Sequence, residues 1–129
     1  MEKRIVNPWK WQQARSYSQA VEVKNVEATL YCSGQAAIDP DGISSNKDME
    51  SQLKQTIANL EEVITAAGYE CKGIVRLNIY TTSTQELWPH FSILQKWIVQ
   101  HNIEQAVTML EVNRLFETLK VELEAIVVK

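Results

Sequence analysis

The sequence predicts an α+β domain in which two helices cover one face of a mixed β-sheet. Three observations predict it. Two stretches space their apolar residues as one face of a helix, five runs are rich in β-branched and aromatic residues, and the segments alternate in the order β-β-α-β-α-β-β. A single domain spanning residues 1–129 is expected, because 129 residues suffice for one sizeable core and not for two. With 45% hydrophobic and 22% charged residues, and only 4 Gly and 3 Pro, the chain has the composition of a packed protein rather than a disordered one.

The first two strands are expected over Ala20 to Val23 and Ala28 to Ser33, with Glu22-Val23-Lys24-Asn25 reading as a hairpin turn. Asp39-Pro40-Asp41-Gly42 is a strong turn signal ahead of the first helix. That helix is expected over residues 47–67, where Met49, Leu53, Ile57, Leu60, Ile64 and Ala67 recur at steps of four, four, three, four and three. Ser45 with Asp48 marks its start, and Gly68 supplies the left-handed position that ends helices. A third strand follows at Ile74 to Thr81. The second helix runs from near Ser83-Thr84 to His101-Asn102, with Leu87, Phe91, Leu94 and Ile98 on one face and Pro89 within reach of its first turn. Trp88 and Trp97 flank that stripe, either partly buried in the monomer or at a subunit contact.

The last two strands are Ala106 to Val112 and Leu119 to Val128. In the final one Leu119, Val121, Leu123, Ala125 and Val127 share one face of the pleat, so Glu122 and Glu124 point the other way. The helix-free face retains apolar residues, Leu110 opposite Met109 and Ile126 and Val128 opposite Val127, and self-association is expected.

A net charge of -3, with 13 Lys and Arg scattered among 16 Asp and Glu, disfavours a nucleic-acid partner. No apolar run approaches the roughly 20 residues that span a bilayer. The start Met1-Glu2-Lys3-Arg4 leads into Asn7-Pro8-Trp9 without the apolar core of a signal peptide, so a cytoplasmic location is expected. In that reducing setting Cys32 and Cys71 are expected as free buried thiols. Neither cysteine has a CxxC partner, and His90 and His101 stand eleven residues apart, so no zinc spacing is recognised and no metal is expected.

Several short matches, taken in order, resemble the RidA (YjgF) family. They are Tyr17-Ser18-Gln19-Ala20-Val21, Ser33-Gly34-Gln35 followed by Asp39-Pro40 and Gly42, Gln55 to Asn59-Leu60, and Ala66-Ala67-Gly68. Ile74-Val75-Arg76, Glu111-Val112 and Val121-Glu122-Leu123-Glu124-Ala125-Ile126 complete the set, which covers nearly the whole chain. The resemblance implies a chorismate-mutase-like fold assembled as a homotrimer. It also implies a small-molecule site in the cleft between subunits, and hydrolysis of reactive imines or enamines without a cofactor. It would place Tyr17, Ser33, Gly34 and Glu122 in that cleft.

For Glu122 the resemblance suggests a carboxylate that positions or deprotonates water, with its pKa raised by the cleft; by alternation alone it is an ordinary strand residue. Tyr17 either donates a hydrogen bond from its phenol or packs one end of the sheet. Ser33 offers a hydroxyl and Gly34 close access to the backbone, or the pair simply ends a strand.

The chain also departs from the pattern. Where active members read Pro-Ala-Arg-Ser, it reads Gln105-Ala106-Val107-Thr108, so Val107 stands in place of the arginine that clamps a substrate carboxylate. Phe91 aligns with an asparagine of the family, and Arg15 stands where Gly-Pro is commoner. The substrate-binding candidates are therefore Gly34, Phe91, Val107, Thr108 and Arg15, with Arg15 as a possible replacement cation. Two functions fit. One is an imine or enamine deaminase with weak or no activity on 2-imino acids, and the other is a non-catalytic trimer that binds a small metabolite.

Overall fold

The computed structural model describes residues 1–129. Helix α1 spans Met49–Ala66, and its stripe of Met49, Leu53, Ile57, Leu60 and Ile64 is buried against the sheet. Each such side chain contributes roughly 1.5–3 kcal/mol on leaving water. Asp48, rather than the expected Ser45, caps the start, accepting the Ser51 amide at 2.9 Å; Ser45 instead accepts the Lys47 amide in the preceding turn. At the far end Tyr69 N–H reaches the Ile64 carbonyl and Gly68 N–H the Thr65 carbonyl, a Schellman closure that Gly68 permits at φ 79.

The main sheet has five strands. β3 (Thr29–Tyr31), β7 (Val121–Val128), β5 (Ile74–Thr81) and β6 (Ala106–Glu111) lie in that order, and the short β4 (Gln35–Ala36) also pairs with β7. All pairings are antiparallel except β5 with β6, so the sheet is mixed. The parallel pair needs a crossover, and the second helical segment supplies it.

That segment differs from the expected single helix. It breaks into α2 (Thr84–Leu87), a 3₁₀ turn over Trp88–His90, and α3 (Phe91–Gln100). Ser83 caps α2 through the Glu86 amide, so Pro89 falls beyond the first turn, where it lacks an amide to donate and its ring crowds the carbonyl four residues back. The apolar stripe continues through the break, which is why spacing alone did not reveal it. Asn102, at φ 53, closes α3 as Gly68 closes α1, with Ile103 N–H on the Ile98 carbonyl.

A second correction concerns the amino-terminal part. β2 (Ala20–Lys24) does turn at Asn25, φ 55, but it forms no hairpin with β3. Its partner is β1 (Glu2–Val6), a strand not expected from the sequence, and the two make a separate antiparallel ribbon carrying the Arg4–Glu22 ion pair at 3.0 Å.

Helices α1 and α3 cover one sheet face. Leu77 and Ile79 from β5 join Val121, Leu123, Ala125 and Val127 from β7 in the buried core with the helix stripes. The other face carries Arg76, Asn78, Tyr80, Thr108, Glu122 and Glu124. It is therefore more polar at its centre than the sequence suggested, with exposed Tyr31 and Leu110 towards its edges and Val128 buried. Gln52, wholly buried on α1, donates to the Ser45, Lys47 and Thr118 carbonyls and accepts the Lys120 amide. Asn59 donates to the Ala36 and Ile38 carbonyls at 2.8 Å each. These bonds hold β4 and the start of β7 in place, and the site depends on both.

Candidate functional site

On the helix-free face, Glu122 and Glu124 project from alternate positions of β7. Tyr80 donates its phenol to Glu124 at 2.7 Å and Asn78 its amide at 2.8 Å, and together they hold that carboxyl below the usual range. Glu122 receives no such bond. Burial pushes its carboxyl above the usual range, and the charge on Glu124 adds to the effect. Neighbouring carboxyls with pKa values driven apart are the arrangement in which one stays charged while the other handles a proton.

Gly34 faces Glu122 directly. A Cβ at position 34 would lie 2.7 Å from both the Glu122 carboxyl carbon and its Oε2. Only glycine leaves the carboxyl where it is. Ser33 is exposed beside it, and its carbonyl accepts from the Gln35 side chain at 3.3 Å.

A second group lies at the other sheet face, where β6 forms the free edge. Arg15, Tyr17, Phe91 and Val107 line one pocket of about 180 Å³, together with Ile79, Ile98, Met109 and Trp88. Val107 and Met109 pair with Leu77 and Ile79 and so share the helix-facing side. Phe91 stacks on Trp88 at 5.2 Å to form one wall; Tyr17 meets Trp11 edge-on at 6.3 Å, and Arg15 lies 5.0 Å over the same Trp11 ring. Arg15 is the one charged residue in the lining, at the exposed rim rather than at position 107.

Thr108 does not join that pocket. Alternation turns it to the opposite face from Val107, where it accepts from the Arg76 guanidinium. The candidates thus fall into an acidic group of Ser33, Gly34 and Glu122 and an apolar group of Arg15, Tyr17, Phe91 and Val107. One copy of the chain does not bring the two groups into a common pocket.

Gln105 also lines the apolar pocket and was not singled out from the sequence. It is 1% exposed; its Nε2 donates to the Ser16 carbonyl at 3.0 Å, while its Oε1 has no partner. A buried acceptor left unmet costs roughly 1–3 kcal/mol. The sequence signal was present only as glutamine at the motif's proline position, two residues before Val107.

Two further places have a different character. The largest hollow, about 640 Å³, is an open groove beside Asp39, Ser44 and Glu117 whose ten lining residues include one apolar side chain, and it contains none of the candidates. Glu61, Cys71 and His101 bring one donor atom each within 4.8 Å of one another, a grouping that linear spacing does not reveal. His101 Nε2 lies 3.4 Å from Glu61, tying the end of α3 to α1. The Cys71 thiol is pushed up to about 11, chiefly by burial and then by Glu61 and Cys32, so it keeps its proton at neutral pH.

The fold and these two groups define a class: a small α+β domain with an acidic, hydrogen-bonded sheet face and an apolar pocket at the sheet edge. The family model described as Endoribonuclease L-PSP matches residues 10–129. The chain belongs to that family, the RidA/YjgF proteins. It is similar to the 2-iminobutanoate/2-iminopropanoate deaminase of Salmonella typhimurium, at 27% identity over 114 residues, 88% of this chain and 87% of the relative. Among solved structures, the Rid-family protein YyfB from Yersinia pestis superposes with a TM-score of 0.87 at 26% identity, covering 100% of both chains. The YjgF gene product of E. coli superposes at 0.71 with 27% identity, over 88% of this chain and 87% of the other. No helix is long and apolar enough to cross a membrane.

Proposed function

We propose that the chain assembles as a homotrimer in which the acidic group of one copy faces the apolar pocket of the next, and that the completed cleft hydrolyses a neutral imine or enamine. Water adds across the C=N bond, Glu122 takes a proton from it and returns one to the nitrogen, and ammonia leaves a carbonyl product. Tyr17 and Ser33 line the cleft and orient the reactants. The observation that carries this reading is the Glu122 carboxyl, raised by burial beside an ionised Glu124 and given room by Gly34.

Deaminase relatives act on 2-imino acids by their names. Val107 offers such a carboxylate no hydrogen bond, and bonds to charged groups contribute about 1.5–3 kcal/mol each. Activity on 2-iminobutanoate and 2-iminopropanoate is therefore expected to be at least on the order of a hundredfold below that on a matched neutral imine. The ribonuclease description of the family finds no support in the site, where Arg15 is the sole cation of the pocket lining and the opposite group is acidic.

The test is a panel of neutral and anionic imines with the purified protein. Neutral imines should turn over above buffer, and Glu122→Ala should reduce that rate by about 10²–10⁴-fold. No rate on any imine, with Glu122→Ala indistinguishable from the parent, would sink the enzymatic reading. The apolar walls at Val107 and Phe91 favour a second one, a trimer that binds a metabolite without changing it. It requires a ligand that raises the melting temperature and is recovered unaltered.

A further inference from the structure

We propose that Glu61, Cys71 and His101 bind one zinc ion per chain, Cys71 as a thiolate, His101 through Nε2 and Glu61 through its carboxylate, with water in the remaining position. The site lies in the helix layer, on the other side of the sheet from Glu122. It goes beyond the reading above and stands or falls independently of it.

Three elements bring the donors together. Glu61 comes from the carboxy-terminal third of α1, Cys71 opens the 3₁₀ turn Cys71–Gly73 that follows the α1 closure, and His101 ends α3. Local backbone secures the last two. Gly73 N–H reaches the Glu70 carbonyl at 2.9 Å, and the turn sits so close on β7 that a Cβ at position 73 would collide with the Val128 carbonyl. His101 N–H reaches the Trp97 carbonyl at 3.1 Å, and its ring tilts against Trp97 with centroids 5.7 Å apart.

The spacing is that of ligands. One donor atom from each side chain lies within 4.8 Å of the other two. His101 Nε2 is 3.4 Å from Glu61 Oε1. That is longer than the roughly 2.7–2.9 Å of a charge-assisted hydrogen bond, yet close to the roughly 3.3 Å between two donors bonded at about 2.0–2.1 Å to a tetrahedral metal. The widest pair needs to close by no more than about 1 Å to meet that geometry, and the Glu61 side chain, 41% exposed, is free to supply it.

The donor set selects the ion. Magnesium and calcium take oxygen, whereas a thiolate and an imidazole with one carboxylate suit zinc. Cys71 is 6% exposed, so its thiolate alone would be an unpaired buried charge. With the Glu61 carboxylate it balances the two positive charges of the ion, and binding releases the Cys71 proton to solvent. Glu61 and His101 both reach the surface, which gives the ion a way in and the fourth position its water. Bound there, zinc clips the ends of α1 and α3 to the turn that starts β5.

The test uses untagged full-length protein stripped with EDTA and titrated with Co²⁺, which takes the ligands of zinc and reports them by colour. A thiolate-to-cobalt charge-transfer band should grow in the near ultraviolet, saturate at one cobalt per chain and bleach when Zn²⁺ is added. Cys71→Ser should abolish the band and Cys32→Ala should keep it. His101→Gln should lower cobalt affinity by at least about tenfold, the smallest loss expected even for an outer-shell partner, while melting without metal stays near that of the parent. The absence of a charge-transfer band at a large excess of cobalt overturns the proposal. So does a band that survives Cys71→Ser, a band lost in folded Cys32→Ala, or an affinity unchanged in His101→Gln. Because His101 lies at the surface, the last comparison decides even if Cys71→Ser fails to fold.

Discussion

The acidic group around Glu122 and the apolar pocket around Val107 are built in opposite ways. Around Glu122 the geometry is set by close contacts: Tyr80 and Asn78 both donate to the neighbouring Glu124, and the Gly34 backbone is fitted to the carboxyl at a distance no other residue allows. Around Val107 the surface is made mostly of apolar side chains that tolerate many shapes. On the proposed function, the difference teaches that a proton-handling group needs its environment fixed in detail, whereas a binding surface needs only the right character and size. Substitutions should therefore act steeply in the first region and by degrees in the second.

The largest effect expected, the loss of about 10²–10⁴-fold in turnover for Glu122→Ala, is the one most able to break the comparison. Next comes Val107→Arg, which restores a guanidinium to the pocket floor. It should raise kcat/KM on 2-iminopropanoate on the order of a hundredfold while lowering affinity for neutral apolar probes. No gain would mean that the acidic group had lost its chemistry as well, and the two regions would no longer be independent.

Gly34→Ala should cost about tenfold in turnover, with melting within a few degrees of the parent. The crowded atoms belong to the flexible end of Glu122, so the carboxyl moves aside and the fold survives. Unfolding instead would show that the segment cannot adapt. The smallest effect is thermodynamic. Because burial raises the Glu122 carboxyl, its stabilising contribution is present below the ordinary glutamate range and is lost as pH rises through the folded value. Glu122→Gln should therefore melt slightly higher than the parent at pH 7, the gap closing as pH falls towards 4. A gap that widened on acidification would reverse the assigned direction.

The sequence showed α1 to within two residues at its start and one at its end because its periodicity is long and its Gly68 closure chemically distinctive. Strand β7 was legible for the same kind of reason, a strict alternation of apolar and acidic positions. Strand β1 was not, since Glu2–Val6 mixes charges with apolar residues and its partner is β2, fourteen or more residues away in sequence and nothing local announces it. The break at Pro89 was hidden by a stripe that carries on across it. Position 107 stood out by its place in a motif, and Thr108 was grouped with it although the pleat sends neighbours to opposite faces. Gln105 was legible only as a glutamine at the motif's proline position, and that it would be buried with its amide on the Ser16 carbonyl is a tertiary fact, since the two lie 89 residues apart.

The state of the two cysteines has a practical consequence. Both thiols are buried, and Cys71 is held as a neutral thiol well beyond pH 8. The unmodified chain should accordingly be silent to maleimide under native conditions, measured as no mass increase after overnight incubation. A single cysteine introduced at exposed Tyr31 would then be the sole reactive position, so a dye placed there could report, by its own quenching, when separate chains meet and how fast they exchange.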